Sequence, residues 1–228
     1  MNYAFAPPAI SSLPIVGSDQ RYPVRRVFCI ARNYADHAQE MGVVLDTTPS
    51  MFFCKPADAV VADDGDVPYP QATHNFHHEL EMVVALGDGG LDLTPAQAAR
   101  LIWGYGVGLD LTRRDLQAQA KAKSHSWDVA KAFDYSAPIS ALRRAAEAKI
   151  DGSTVLELQV NGEPRQHATL AEMVLPVPEM IAMLSGLFEL KAGDLIFTGT
   201  PAGVAAMQRG DHFHATLQGV AELRGRIV

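Results

Sequence analysis

An α+β fold is predicted, on three observations. Short β-prone runs recur along the chain and outnumber the helical stretches. The two kinds of element do not alternate regularly, which argues against a doubly wound parallel sheet. Turn signals, Asn161-Gly162 foremost, tie neighbouring runs into hairpins. The 228 residues are 48% hydrophobic and 20% charged, ample for a core and unlike a disordered chain.

Residues 1–22, with Pro7, Pro8 and Pro14, read as an irregular or extended arm packed on the body, and residues 23–228 as one domain. Arg26–Ile30 is the first strand. Residues 34–41 have helical character, and Gly42 to Pro49 is polar and loop-like. Met51 to Pro56 is a short strand stopped by proline. Residues 57–78 are mostly loop, with a solvated turn at Asp63-Asp64-Gly65-Asp66. Residues 79–86 form an apolar strand. Thr94-Pro95 opens a helix to about residue 102, with Thr as N-cap and Pro at the first helical position. Gly104–Asp110 is a strand of period two. Thr112 is expected to cap the next helix, with Asp115 completing a capping box.

In the second half, Val155–Val160 and residues 163–167 make a hairpin about Asn161-Gly162. Pro176 to Phe188 places Ile181, Leu184 and Phe188 on one helical stripe. Asp194–Phe197 is a buried strand. His212–Leu217 and Val220–Val228 form a terminal hairpin, which makes His212 and His214 ordinary strand-face residues.

The net charge is −7 with no long basic run, so nucleic acid and an anionic membrane are unexpected partners. No stretch is long and apolar enough to span a bilayer, and the first residues lack a basic region followed by an apolar block, so a secretory signal is not expected. A cytoplasmic location follows as an expectation, with Cys29 and Cys54 as reduced core residues.

Side chains alternate faces along a strand, so Glu79 and Glu81 point one way while Leu80 and Met82 pack on the other. Two carboxylates so placed require a raised pKa, a basic partner or a cation. In Gly104 to Asp110, three glycines precede Asp110 on one face, where a ligand or another backbone approaches closely. Three carboxylates suit a hard divalent ion, Mg²⁺ or Mn²⁺, with Ca²⁺ an alternative. His77 and His78 would favour Zn²⁺, a lesser reading, since the oxygen set explains both strands without them. His37 and Glu40 stand three residues apart, on one face of a helix, as do Arg114 and Gln117. Lys131, inside an apolar run, either snorkels or faces a site, and Lys55 is a second candidate to face it.

Arg32-Asn33-Tyr34-Ala35-Asp36-His37, His78-Glu79-Leu80-Glu81, Gly108-Leu109-Asp110, Arg114-Asp115-Leu116-Gln117, Lys131-Ala132-Phe133-Asp134 and Thr198-Gly199-Thr200-Pro201 occur in order. Their order and spacing resemble the fumarylacetoacetate hydrolase family over roughly residues 22–228, and within it the short acylpyruvate hydrolases. The resemblance implies a mixed β-sheet rolled into a β-sandwich with peripheral helices, usually as a homodimer.

It also implies metal-dependent cleavage of a C–C bond in a 1,3-diketo acid. Fumarylpyruvate of gentisate-type aromatic breakdown is the foremost substrate. Oxaloacetate decarboxylation, or isomerisation of a 2-oxo diacid, is the alternative. Glu79, Glu81 and Asp110 would hold the metal. His37, oriented by Glu40 on a lid, would activate water. Lys131, Arg114, Gln117, Thr200 with Gly199, and Arg32 would contact the 2-oxo acid. The chain departs from the family pattern at Ala31, at Ser124-His125-Ser126 and at Ala205-Ala206, which bears on substrate choice more than on chemistry. A non-catalytic acid-binding protein would be marked by a missing base, and His37 is present.

Overall fold

Two sheets packed face to face carry the structure, a computed structural model that describes residues 2–36, 51–62 and 64–228. The larger is mixed. Its six strands run in the order Arg143–Arg144, Ile102–Leu109, Leu80–Leu86, Asp194–Phe197, Arg26–Ile30 and Phe52–Lys55. Only Asp194–Phe197 against Arg26–Ile30 is parallel; the other pairs are antiparallel. The smaller sheet is antiparallel, two hairpins side by side, in the order Glu163–Thr169, Val155–Val160, His212–Leu217 and Ala221–Arg226.

The main core lies between the sheets. Leu80, Met82, Val84, Val107 and Leu109 of the larger pack in one cluster with Leu156, Leu158, Phe213 and Ala215 of the smaller. The opposite face of the larger sheet is also covered. Val83, Ala85, Leu195 and Phe197 meet Leu13, Ile15, Tyr22, Ile139 and Leu142. Burial on both faces explains why Leu80–Leu86 is wholly buried and apolar at every position but Glu81. Helices are short and peripheral: Pro95–Ala98, Arg114–Ala122, Asp128–Lys131 and Val177–Ser185. None of the described helices is long and apolar enough to cross a membrane.

The expected strands and the terminal hairpin are present, as is the helix opened by Thr94, which carries a capping box with Gln97. The loop expected over 57–78 contains two short strands, Val60–Val61 and Phe76–His77. The expected box at Thr112 is absent. Thr112 belongs to a two-residue strand paired with Phe76–His77, and its hydroxyl donates to the Asp110 carbonyl at 3.0 Å. Asp115 instead accepts from the Thr73 hydroxyl at 2.5 Å and from His74 N–H at 3.0 Å. A long-range bond to a neighbouring loop has replaced the local cap.

The glycine face before Asp110 is filled by protein. A Cβ at Gly104 would lie 2.4 Å from the Arg143 carbonyl, and one at Gly108 would lie 2.9 Å from both the Phe197 ring and the Pro138 carbonyl. Of the two occupants the sequence allowed, ligand or chain, the structure has the chain.

Candidate active site

Glu79 sits just before its strand, Glu81 is the second residue in it, and Asp110 comes just after the neighbouring strand, Ile102–Leu109. Register brings them together: Leu80 pairs with Leu109 and Glu81 with Gly108, and Asp110 N–H donates to the Glu79 carbonyl at 2.8 Å. One oxygen from each of the three carboxylates lies within 4.8 Å of the other two. All three residues are buried, at 6%, 1% and 1% exposure. Among the described residues this cluster contains no histidine. His77 is engaged elsewhere, with Nε2 2.7 Å from Asn75 Oδ1.

Three cations answer the carboxylates. Lys131 Nζ donates to Glu79 Oε2 at 2.8 Å and to Asp110 Oδ2 at 2.7 Å. Arg114 Nη2 donates to Glu79 Oε1 at 2.5 Å, and its Nη1 to Gln117 Oε1 at 2.6 Å. Lys55, buried to 1% exposure, donates to the carbonyls of Leu111 and Lys131 and stands 2.9 Å from Asp110 Oδ1. That contact is an ion pair without hydrogen-bond geometry, so Asp110 Oδ1 is a buried acceptor with no hydrogen bond among the described residues. Among the described residues Glu81 forms no ion pair. It accepts the Gly199 N–H at 2.6 Å.

The electrostatics follow. Burial, then the charges of Asp110 and Glu79, push Glu81 well above the usual carboxylate range. Burial opposes the charge of Lys131, but Asp110 and Glu79 outweigh it and raise its pKa. Burial and the nearby Arg114 lower His77 to about 4, so it is neutral at physiological pH. Burial lowers Lys121 at the pocket edge, assisted by Arg114 and Arg32.

The residues fit a hard divalent ion. The donors are all carboxylate oxygens, one is an unsatisfied buried acceptor, and one belongs to a group whose ionisation is suppressed by its neighbours. Among the described residues Lys55, Lys131 and Arg114 already pair with these carboxylates, so an added divalent ion would bring a surplus of positive charge suited to an acidic ligand. Arg32, Arg114, Gln117, Lys131 and Thr200 line the same small cavity as the carboxylates, with Phe53 and Trp127 as its apolar walls.

Gly199 adopts φ +96°, and a Cβ there would lie 2.6 Å from Asn33 Cβ. Only glycine suits this turn. Its N–H is engaged by Glu81, so it holds a carboxylate of the chain itself. His37 and Glu40 lie outside the described residues. Tyr34, just before them, has a buried hydroxyl with no hydrogen-bond partner among the described residues, and burial followed by the charge of Glu81 raises its pKa.

Sequence reasoning does not single out Gln166. It is buried to 1% exposure in the smaller sheet and bonds Leu80, His78, Thr200 and Pro201. A two-residue turn at Asn161-Gly162 with unbroken pairing sets Arg165 opposite Leu158. A bulge between Leu158 and Gln159 sets Gln166 there instead. One extra residue turns every later side chain to the other face. The only local signal is a polar residue in a core-facing phase, and that phase is visible only once the bulge is known.

A family model, the C-terminal domain of fumarylacetoacetate (FAA) hydrolase, matches residues 26–228. The fumarylpyruvate hydrolase of Pseudomonas aeruginosa, solved in complex with Mn²⁺ and pyruvate, superposes with a TM-score of 0.95 at 46% identity, covering 100% of this chain and 99% of that one. The oxaloacetate tautomerase YcgM of Escherichia coli is 42% identical over 199 residues, 87% of this chain and 90% of the relative. The mitochondrial oxaloacetate tautomerase FAHD1 of Rattus norvegicus is 36% identical over 203 residues, 89% of this chain and 91% of the relative. These matches run through both sheets and all three carboxylates, and the chain belongs to the fumarylacetoacetate hydrolase family of hydrolases and isomerases.

Proposed function

We propose that the protein is a divalent-metal-dependent acylpyruvate hydrolase that cleaves fumarylpyruvate to fumarate and pyruvate. The observation that carries this reading is the full-length match to a fumarylpyruvate hydrolase holding Mn²⁺ and pyruvate, in a chain whose own buried carboxylates converge. On this reading residues 1–22 are an arm on a single catalytic domain, 23–228. The enzyme is a cytoplasmic homodimer of gentisate-type aromatic breakdown.

Glu79, Glu81 and Asp110 would hold Mg²⁺ or Mn²⁺, with Ca²⁺ the weaker fit. When bound, the ion supplies Lewis-acid stabilisation of negative charge developing on the 2-oxo oxygen. Lys131, its ammonium fixed by Glu79 and Asp110, would set positive charge beside that oxygen with little reorganisation as charge develops. Arg114 and Gln117, already bonded to each other, present a joined donor surface to the substrate carboxylate. Thr200 adds its hydroxyl from the turn that Gly199 shapes, and Arg32 grips the distal acid. His37, oriented by Glu40, takes a proton from water as that water attacks the distal carbonyl carbon. The C–C bond then breaks, its electron pair goes to the pyruvoyl half, and protonation of the methylene carbon completes pyruvate.

A second reading is favoured by the tautomerase relatives. The same pocket would bind oxaloacetate and move one proton between carbon and oxygen, with no attack by water. A paired assay separates the two. Stoichiometric fumarate and pyruvate from fumarylpyruvate with Mn²⁺ supports hydrolysis. Keto–enol interconversion of oxaloacetate, with fumarylpyruvate left intact, overturns it.

A further inference from the structure

Gln166 has an amide whose orientation can be read without ambiguity. Its Oε1 accepts the Leu80 backbone N–H at 2.9 Å, and its Nε2 donates to the Pro201 carbonyl at 2.8 Å. A backbone N–H can only donate and a carbonyl can only accept, so oxygen and nitrogen cannot be exchanged. The two remaining bonds are then determined. His78 Nδ1, 2.8 Å from Oε1, must carry a proton. Thr200 Oγ1, 2.8 Å from Nε2, must accept one. All four hydrogen-bonding positions of this buried amide are thereby filled.

The consequence falls on Thr200, which is 3% exposed and lines the carboxylate cavity. Its oxygen already accepts from Gln166, and no acceptor for its own proton exists among the described residues. We infer that Gln166 is a positioning residue that sets the polarity of the Thr200 hydroxyl. Its proton is held for a ligand, and this point of the pocket selects an acceptor oxygen, carboxylate or keto, over a donor. The inference rests on the reading of Thr200 as a substrate contact and deepens it. The same amide ties the Thr200 turn to Leu80, between Glu79 and Glu81, so one side chain of the smaller sheet registers the acid-binding turn against the carboxylate strand.

The test is a double-mutant cycle read by calorimetric binding of pyruvate to the Mn²⁺-loaded protein. Gln166→Glu keeps shape and keeps the acceptor for Leu80, but its carboxylate would draw the Thr200 proton toward itself. Thr200→Val removes the hydroxyl, and Thr200→Ser restores it. Each of Q166E and T200V should weaken pyruvate by roughly ten-fold, the loss of one hydrogen bond to a charged group. The double variant should be no weaker than T200V, and T200S should bind as the parent does. Gln166→Met, which removes the amide without adding charge, should show the same non-additivity and serves if Q166E does not fold. The nitrogen shifts of His78 should report an Nδ1-protonated ring in the parent. Additive losses, or parental binding by Q166E beside a weakened T200V, overturn the positioning role and leave Thr200 as a contact. Parental binding by T200V overturns that contact reading, and the inference with it.

Discussion

Lys131 Nζ lies 2.7 Å from Asp110 Oδ2 inside the protein, at 2% and 1% exposure. With Glu79 Oε2 at 2.8 Å from the same nitrogen, the ammonium bridges two of the three clustered carboxylates. Breaking a buried pair from one side leaves uncompensated charge, typically about 3–5 kcal/mol. Lys131→Met should therefore destabilise the metal-free protein by an amount of that order and abolish turnover. Saturating Mn²⁺ should recover much of the stability, because the ion neutralises the same oxygens. Urea unfolding with and without Mn²⁺ checks this; an equal loss in both would count against a shared role for lysine and ion.

Glu81 makes metal affinity depend on pH. Its raised pKa comes from burial and from the charges of Asp110 and Glu79. The ion needs the carboxylate, so binding releases a proton, and affinity should rise with pH until Glu81 ionises freely. The sign for folding is opposite. A carboxyl whose folded pKa is raised stabilises the metal-free protein at low pH and loses that contribution as pH rises through the raised value. Mn²⁺ titrations followed by electron paramagnetic resonance should show the affinity climbing with pH. In Glu81→Gln, affinity should be lower and its pH dependence reduced.

His77 sets a second pH window. Burial and Arg114 hold its pKa at about 4, against 6.5 unperturbed. Between these values the unfolded chain binds a proton that the folded chain does not, so this residue lowers stability as pH falls from about 6.5 to about 4. Above that window its contribution is flat. His77→Gln should flatten the stability–pH profile between those limits in chemical denaturation. An unchanged profile would mean that His77 is protonated within the fold.

Gly199→Ala tests the turn under Glu81. The left-handed φ and the 2.6 Å approach to Asn33 Cβ act together. Strain of this kind costs about 1–3 kcal/mol. The Asn33 side chain pins the same turn, donating to the Thr198 carbonyl at 2.8 Å, so the backbone cannot relax without moving the Gly199 N–H off Glu81. A lower Tm and weakened Mn²⁺ binding are the expected pair. A lower Tm with parental Mn²⁺ affinity would separate the turn from the carboxylate cluster.

Much of the candidate site was legible in the chain because its parts are local. The period of a strand sets Glu79 and Glu81 on one face, and the glycine run announces a strand with one bare side. Arg114 and Gln117 meet because residues three apart on a helix are neighbours, and their 2.6 Å bond is the result. The three converging carboxylates needed one further fact, the antiparallel register that sets Glu81 opposite Gly108.

What the sequence by itself determined is the succession of strands and short helices, the family, and the acidic and basic residue types gathered at the cavity. These depend on alternation, turn chemistry and motif spacing, all of which act over a few residues. Only the tertiary structure decided that the glycine face would be filled by Phe197 and Pro138, that Asp115 would bind Thr73 and leave Thr112 uncapped, and that Gln166 would face inward. Each depends on which distant segment lies alongside, and the last depends on one unpaired residue in a hairpin. A bulge costs the chain little and leaves no period in the sequence, yet it exchanges the two faces of a strand.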